Sequence, residues 1–419
     1  MEGKSSHRME QNGKRKVRRH LPPGKGPYTV GTVDVMCGHT ENGSFFRLFY
    51  PTNDTDIYKR DRQWPLWIPR RQYGIGYMYF LGRNPKIFGK LFNWLGGDVY
   101  VPALWQAPVL QNGKKFPVIV LSHGLGGNRT TYTTLCLELA SQGFIIAAVE
   151  HRDGSASMTL CLRESFRHSV RHVDDNNHSH HHHRNSFSED WKIFDKPKHI
   201  QWDDFNYRNK QVHQRARECS RVLDILKDLN DGKPLYNSLG IIINTSHFKD
   251  TMDITQASII GHSFGGATCV CALSDDERFK AGVVLDGWMH PLDDKVYKTV
   301  SQPILMLNME TFQWRKNVQQ MMRLKADNVE RQMLTIKGTC HQSVSDFQFL
   351  TNKAMGRLFN LRNKLTPHVA MDIIRCGTLG FLWKHLGQDC TDSCTGNQFD
   401  DVLMGTREHV VMGTLLDLS

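Results

Sequence analysis

The sequence predicts an α/β fold: one large domain with a mostly parallel central sheet and helices on both faces. Three observations predict it. From about residue 116, short apolar runs alternate with amphipathic stretches in a βαβα rhythm. The apolar runs are brief, β-branched and bounded by Gly, Pro or Asp, as parallel strands covered on both faces should be. Gly261-His262-Ser263-Phe264-Gly265 stands between one such run and a helical stretch, a strand–tight turn–helix context.

Taken in order, Phe116–Leu121, Phe144–Val149, Ala257–Ile260, Ala281–Leu285, Pro303–Leu307 and Gln332–Ile336 read as buried strands. Between them, Thr130–Ser141, Asn206–Asp228, Phe264–Leu273 and Phe312–Ala326 carry helical periodicity. Residues 1–25 read as a basic disordered arm, 26–388 as the single α/β domain and 389–419 as a loosely ordered tail. A polar, irregular insertion over about 155–205 contains the run Asn177–His183. Its histidines lie in low-complexity sequence without an acidic or Cys partner set, so they read as solvated.

Of the formal charge of +11, residues 1–25 hold eight basic and two acidic residues, so more than half of the excess is a property of the arm. That distribution argues against a nucleic-acid partner for the folded part. No apolar run follows the early charges and none spans a bilayer, which predicts no secretory signal, no transmembrane helix and a cytoplasmic location. Ten cysteines suit an intracellular chain, with Cys390 and Cys394 read as surface thiols.

The chemistry sits on the turn. Close-packing glycines let the Ser263 hydroxyl stand exposed above the sheet, where the following helix N-terminus favours a developing oxyanion. A serine nucleophile needs a base, and the base an orienting acid, both at the ends of later strands. Asp286 ends one strand and His341 follows the last. Asp293 and Asp294 read as solvated, and His290 lies too near Asp286 in sequence to reach across. For the oxyanion, the N–H of Phe264 is one donor and that of Leu125, in Ser122-His123-Gly124-Leu125-Gly126, the other. His123, His151 and His262 read as structural. Leu125, Phe264, Trp288 and Phe347 are expected pocket walls, favouring an uncharged acyl group. No cofactor and no metal are expected.

Two stretches share an apolar helical face and flanking cations, as a helix lying in a lipid headgroup layer requires. One carries Ile87, Phe88, Leu91, Phe92, Trp94 and Leu95; the other carries Met355, Leu358 and Phe359. Association with a membrane or lipid surface is the expectation, with a lipid passing from the interface into the pocket.

From about Gly26 to Leu386 the sequence resembles the platelet-activating factor acetylhydrolases, serine lipases of the α/β-hydrolase fold, of both the intracellular type II and the plasma type. The resemblance is carried by Gly43–Pro51, Pro65–Pro69, Ser122–Gly126, Glu150–Asp153, Val212–Arg215, Gly261–Thr268 and Phe381–Leu386. It implies Ca²⁺-independent hydrolysis of short or oxidised sn-2 acyl chains of phospholipids. It places nucleophile, acid and base on Ser263, Asp286 and His341, and lipid-surface helices around 86–96 and 352–361. Intracellular relatives begin Met-Gly and can be myristoylated; Met1-Glu2-Gly3 does not fit that rule. A general carboxylesterase and a non-enzymatic lipid-surface adaptor are the rival expectations.

Overall fold

The computed structural model describes residues 18–53, 57–165, 186–196, 201, 203–350, 356, 361, 363–387 and 397–418. The strands are β1 (Thr29–Cys37), β2 (Ser44–Thr52), β3 (Leu104–Trp105), β4 (Phe116–Ser122), β5 (Ile145–Val149), β6 (Met158–Ser165), β7 (Ser186–Ile193), β8 (Met252–His262), β9 (Phe279–Leu285), β10 (Ile304–Met309), β11 (Arg331–Ile336) and β12 (Val410–Met412). The helices are α1 (Arg71–Phe80), α2 (Pro85–Gly96), α3 (Thr133–Ser141), α4 (Phe205–Asn230), α5 (Phe264–Asp275), α6 (Asp294–Thr299), α7 (Arg315–Met322), α8 (Phe347–Leu350), α9 (Pro367–Leu386) and α10 (Asn397–Leu403).

Ten strands form one sheet in the order β12-β11-β10-β9-β8-β4-β5-β2-β1-β3. The six strands from β5 to β11 in that order, β4 among them, pair in parallel. Each is a run such as Phe116-Pro117-Val118-Ile119-Val120-Leu121 that alternates between two covered faces. Val118 and Val120 pack with α4 and α5 on one face; Ile119 and Leu121 pack with α3 and α9 on the other. After β4 the chain runs outward to β5 on one side, and β8 then lies on the other. That reversal opens a crevice at the carboxyl ends of β4 and β8, where α/β folds bind ligands.

The sheet extends beyond the parallel part expected from residue 116 onward. β1 and β2 form an antiparallel pair joined to β5, and β12 closes the other edge by pairing with β11. Three expectations need correction. The 155–205 insertion is not irregular throughout: β6 and β7 pair as a separate two-stranded ribbon, with Leu160 buried and Trp191 packed beside it. The tail is also structured over 397–418, because Phe399 and Val402 give α10 an apolar stripe that buries against α9. The arm ends before residue 25: Leu21 is buried, and Lys25 makes a 3.0 Å ion pair with Asp372. Residues 1–17 and the run Asn177–His183 lie outside the described residues.

Helix α2 begins at an Asn84 cap, whose side chain accepts from Lys86 N at 3.0 Å, with Pro85 in the first turn. Its apolar arc is wider than one contact needs. Ile87 and Trp94 are 64% and 77% exposed, whereas Phe92 turns inward against Trp67, Tyr77 and Phe347. Phe92, expected on the lipid-facing side, is therefore a core residue. At 100° per residue it lies on the opposite margin of the arc from Trp94. Among the described residues, no helix is long and apolar enough to cross a membrane.

Candidate active site

Four strand ends meet over the crevice. The turn after β8 holds Ser263 at φ 56°, ψ −118°, a conformation that costs a non-glycine residue about 1–3 kcal/mol and survives only where its surroundings impose it. They do so here: Ser263 N donates to Leu285 O at 3.0 Å, and Gly266 N and Trp288 N donate to Ser263 O, each at 2.9 Å. Gly261 and Gly265 make the turn possible, because a Cβ at Gly261 would collide with Gly265 O and one at Gly265 with Ser122 O.

His341, after β11, places Nε2 2.9 Å from Ser263 Oγ and Nδ1 2.7 Å from Asp286 Oδ2. Asp286, after β9, also accepts the Met309 N–H through Oδ1 at 2.8 Å. A carboxylate only accepts, so it fixes Nδ1–H on the ring and leaves the Nε2 lone pair for the serine proton. Burial pushes His341 down to about 3, so the ring is neutral at neutral pH. Burial raises the Asp286 carboxyl well above its usual range, opposed by the Met309 N–H.

The ring of His341 is covered by Phe312, stacked at 3.6 Å between centroids and 21° between planes. This contact supplies part of the desolvation, and it predicts a pH effect. Phe312→Ala should wet the imidazole and return its pKa toward the ordinary value of about 6.5. The protonated ring cannot accept from Ser263, so the acid limb of kcat/KM should move to higher pH. Activity near pH 8 should be nearly unchanged. An unshifted acid limb would show that Phe312 has no part in setting that pKa.

The loop after β4 is braced from below. His123 Nδ1–H donates to Gly124 O at 2.8 Å, while Nε2 accepts from His151 N at 3.1 Å. His151 in turn bridges Ser122 Oγ, at 2.8 Å, and Glu218. Within the loop, Gly124 N, Gly126 N and Gly127 N donate to Tyr132 Oη, Ser155 O and Gly124 O. Leu125 lies between them and lines the cavity beside Ser263. Phe264 N, at the first position of α5, has no helical acceptor four residues back. Their placement in flanking turns suits a pair of oxyanion donors.

Tyr132 and His262 are site residues that sequence periodicity did not single out for the site. Tyr132 Oη accepts from Gly124 N and donates to His262 Nδ1 at 2.8 Å, and His262 Nε2–H donates to His341 O at 2.9 Å. This chain ties the loop carrying Leu125 to the His341 backbone. Asp346 ties the same segment to α3, accepting from Thr133 N, Thr134 N and Trp67 Nε1 at 2.7–2.9 Å. No local signal marks the Tyr132–His262 or Asp346–α3 contacts, since their partners are 130 and more than 200 residues apart.

A cavity of about 60 Å³ opens beside Ser263 and His341, walled by Tyr77, Phe80, Leu81, Leu125 and Phe347. Leu125 and Phe347 are thus where sequence placed them. Phe264 and Trp288 are not: neither lines this cavity. Phe264 is buried beneath the guanidinium of Arg215, and Trp288 packs edge-on to it and stacks on His290. Phe264 enters α5 pointing into the core, and the chain after Asp286 follows it there. His290 Nε2 lies 2.7 Å from Asp203 O, and among the described residues His341 is the histidine hydrogen-bonded to Ser263. The Leu95 side chain and residues Met355, Leu358 and Phe359 lie outside the described residues.

Comparison with known proteins adds a family. A solved ferulic acid esterase from Streptomyces cinnamoneus superposes with a TM-score of 0.60, covering 94% of this chain and 99% of that one at 15% identity. At that identity it shows the shared α/β-hydrolase fold alone. A platelet-activating factor acetylhydrolase of Canis lupus familiaris is 38% identical over 95% of this chain and 84% of its own length. One of Gallus gallus is 36% identical over 99% and 94%. A putative phospholipase A2 of Schizosaccharomyces pombe is 25% identical over 87% and 92%. The sequence profile of the family described as platelet-activating factor acetylhydrolase, isoform II, matches residues 13–403. With the profile spanning every strand of the sheet except β12 and relatives above one-third identity over most of both chains, the protein belongs to the platelet-activating factor acetylhydrolase isoform II family.

Proposed function

We propose that the protein is a Ca²⁺-independent, phospholipase A2-type serine esterase that cleaves the short or oxidised sn-2 acyl group of phospholipids such as 1-alkyl-2-acetylglycerophosphocholine. The observation that carries this reading is the Ser263–His341–Asp286 hydrogen-bonded series opening on a small cavity. The space of about 60 Å³ beside Ser263 admits a small acyl group.

His341 Nε2 takes the Ser263 proton as Oγ attacks the sn-2 carbonyl. The N–H groups of Leu125 and Phe264 hold the oxyanion. On collapse, His341 returns the proton to the glycerol oxygen, lyso-phospholipid departs and the acyl group remains on Ser263. Water, activated by the same imidazole, then releases the short acid. Asp286 holds the ring in the productive tautomer throughout.

Substrate arrives from a lipid surface across α2. The exposed Ile87, Leu91 and Trp94 supply an apolar outer face, while Phe92 on the inner side packs on Tyr77 and Phe347 of the cavity wall. The protein is a peripheral lipid-surface enzyme of the cytoplasmic side. Each large apolar side chain removed from the headgroup layer is worth about 1.5–3 kcal/mol, or roughly tenfold or more in binding. Trp94→Ala with Ile87→Ser should therefore weaken vesicle binding and hydrolysis of a short sn-2 phospholipid in vesicles by more than tenfold. It should leave soluble nitrophenyl acetate turnover unchanged. Rates measured from acetyl to palmitoyl at sn-2 test the substrate: a fall with length supports the reading, and equal rates favour a general carboxylesterase.

A further inference from the structure

Away from the crevice, α4, α5 and the start of α6 bring together His213, Cys271, Asp275 and Asp293. Cys271 and Asp275 are one turn apart on α5 and so share a face. Cys271 Sγ lies 3.4 Å from His213 Nδ1 and 3.7 Å from Asp275 Oδ2, and His213 Nδ1 lies 3.7 Å from that same oxygen. His213 Nε2 lies 2.8 Å from Asp293 Oδ2. Asp293 is held in turn by Asn209 Nδ2 and by Val296 N, whose helix it caps. Asp293, expected to be a solvated loop carboxylate, is thus committed to orienting this histidine.

We propose that His213 Nδ1, Cys271 Sγ and Asp275 Oδ2 form a binding site for a single Zn²⁺-like transition-metal ion, with Asp293 as the carboxylate that orients the histidine. The three atom–atom distances are those of one face of a metal polyhedron. With metal–S of about 2.3 Å and metal–N or metal–O of about 2.0–2.2 Å, tetrahedral ligands stand roughly 3.3–3.6 Å apart. Closing from 3.4, 3.7 and 3.7 Å needs shifts of a few tenths of an ångström.

The donor chemistry agrees. Asp293 fixes Nε2–H, so the Nδ1 lone pair faces the thiol and the second carboxylate, the carboxylate–histidine–metal arrangement in which the outer group sets ligand orientation. One nitrogen, one sulfur and one oxygen suit a borderline-soft divalent ion better than Mg²⁺ or Ca²⁺, which take oxygen sets. The partly exposed His213 and Asp275 give access, and solvent can supply a fourth ligand.

Metal-free, the same atoms make a poor nucleophilic site. Burial and the flanking Asp275 and Asp293 carboxylates hold the Cys271 thiol well above the ordinary range, so it stays protonated. A divalent cation reverses that balance: the S–H bond breaks, the S–metal bond forms and one proton leaves to solvent. Cys271 lies two turns along α5 from Ser263, about 12 Å by helical rise, so the ion would pin three helices without touching the reacting atoms. This departs from the sequence-based expectation of no metal and does not depend on the substrate proposed above.

The test uses the full chain with Cys390→Ser and Cys394→Ser, titrated anaerobically with Co²⁺ and separately with Zn²⁺. Co²⁺ should produce a near-ultraviolet thiolate-to-cobalt charge-transfer band at one equivalent, with release of one proton. The histidines of 177–183 cannot produce this band. Cys271→Ser should abolish it, and Asp293→Asn should weaken Co²⁺ affinity by 10–100-fold. Zn²⁺ at 100 times its Kd should raise Tm by several degrees, and Cys271→Ser should cancel that shift. Esterase activity in each variant reports correct folding and should match the parent. A missing band with the parent folded, or a band of equal strength in Cys271→Ser, would overturn the site.

Discussion

Ser263→Ala is expected to lower kcat for a short sn-2 phospholipid by about 10⁴–10⁶-fold with the fold intact, the scale seen when a nucleophile acting as one unit with its base is removed. The structural cost should be small. Alanine retains the Cβ, and the Ser263 backbone contacts to Leu285, Gly266 and Trp288 are main-chain and survive. Substrate binding should persist, because Leu125 and the cavity walls are untouched, so the loss should fall on kcat rather than KM. Initial rates with acetyl phospholipid and labelling by a fluorophosphonate measure it directly. Normal turnover, or labelling elsewhere with Ser263 unmodified, would remove Ser263 from its proposed role and favour a lipid-surface adaptor.

Asp286→Asn should cost about 10⁴-fold in kcat, the scale of the corresponding change in serine proteases, and the hydrogen bonds here show why. Met309 N–H donates to Oδ1 of residue 286 and requires an acceptor there. An asparagine must turn its carbonyl oxygen to Met309 and its NH₂ toward His341 Nδ1. That nitrogen then has to accept, so the ring proton moves to Nε2 and points at Ser263 Oγ, where a lone pair is needed. Geometry is kept and the tautomer is wrong. The loss should be in kcat with little change in KM or Tm; a variant within tenfold of the parent would mean that Asp286 is not the orienting acid.

How much of this was legible in the sequence follows from the range of each interaction. The parallel strands and the turn at Ser263 are written in short-range patterns: apolar runs of five or six residues, then glycines where backbone must touch backbone. Each requires only neighbours in the chain. The order of strand ends places Asp286 and His341 beyond later strands, so their approach to Ser263 was anticipated from chain order and the family resemblance. β1 and β2 were less legible because their pairing is antiparallel and precedes the βαβα rhythm.

Composition and pattern by themselves determined the fold class and the strand–turn–helix setting of Ser263. Only the tertiary structure decided which side chains those elements aim at one another. A helical wheel shows that Ile87, Phe92 and Trp94 are apolar, but packing decides that Phe92 faces Tyr77 while Trp94 faces out. A pocket wall cannot be read from adjacency to Ser263, because the turn that presents Ser263 to the cavity sends Phe264 into the core. The Tyr132–His262–His341 chain and the His213–Cys271–Asp275 cluster join residues 58 to 130 positions apart, or a turn of one helix to another. Local periodicity reports the face of an element, whereas side-chain contacts depend on the rotation and depth of two elements at once, quantities fixed by packing.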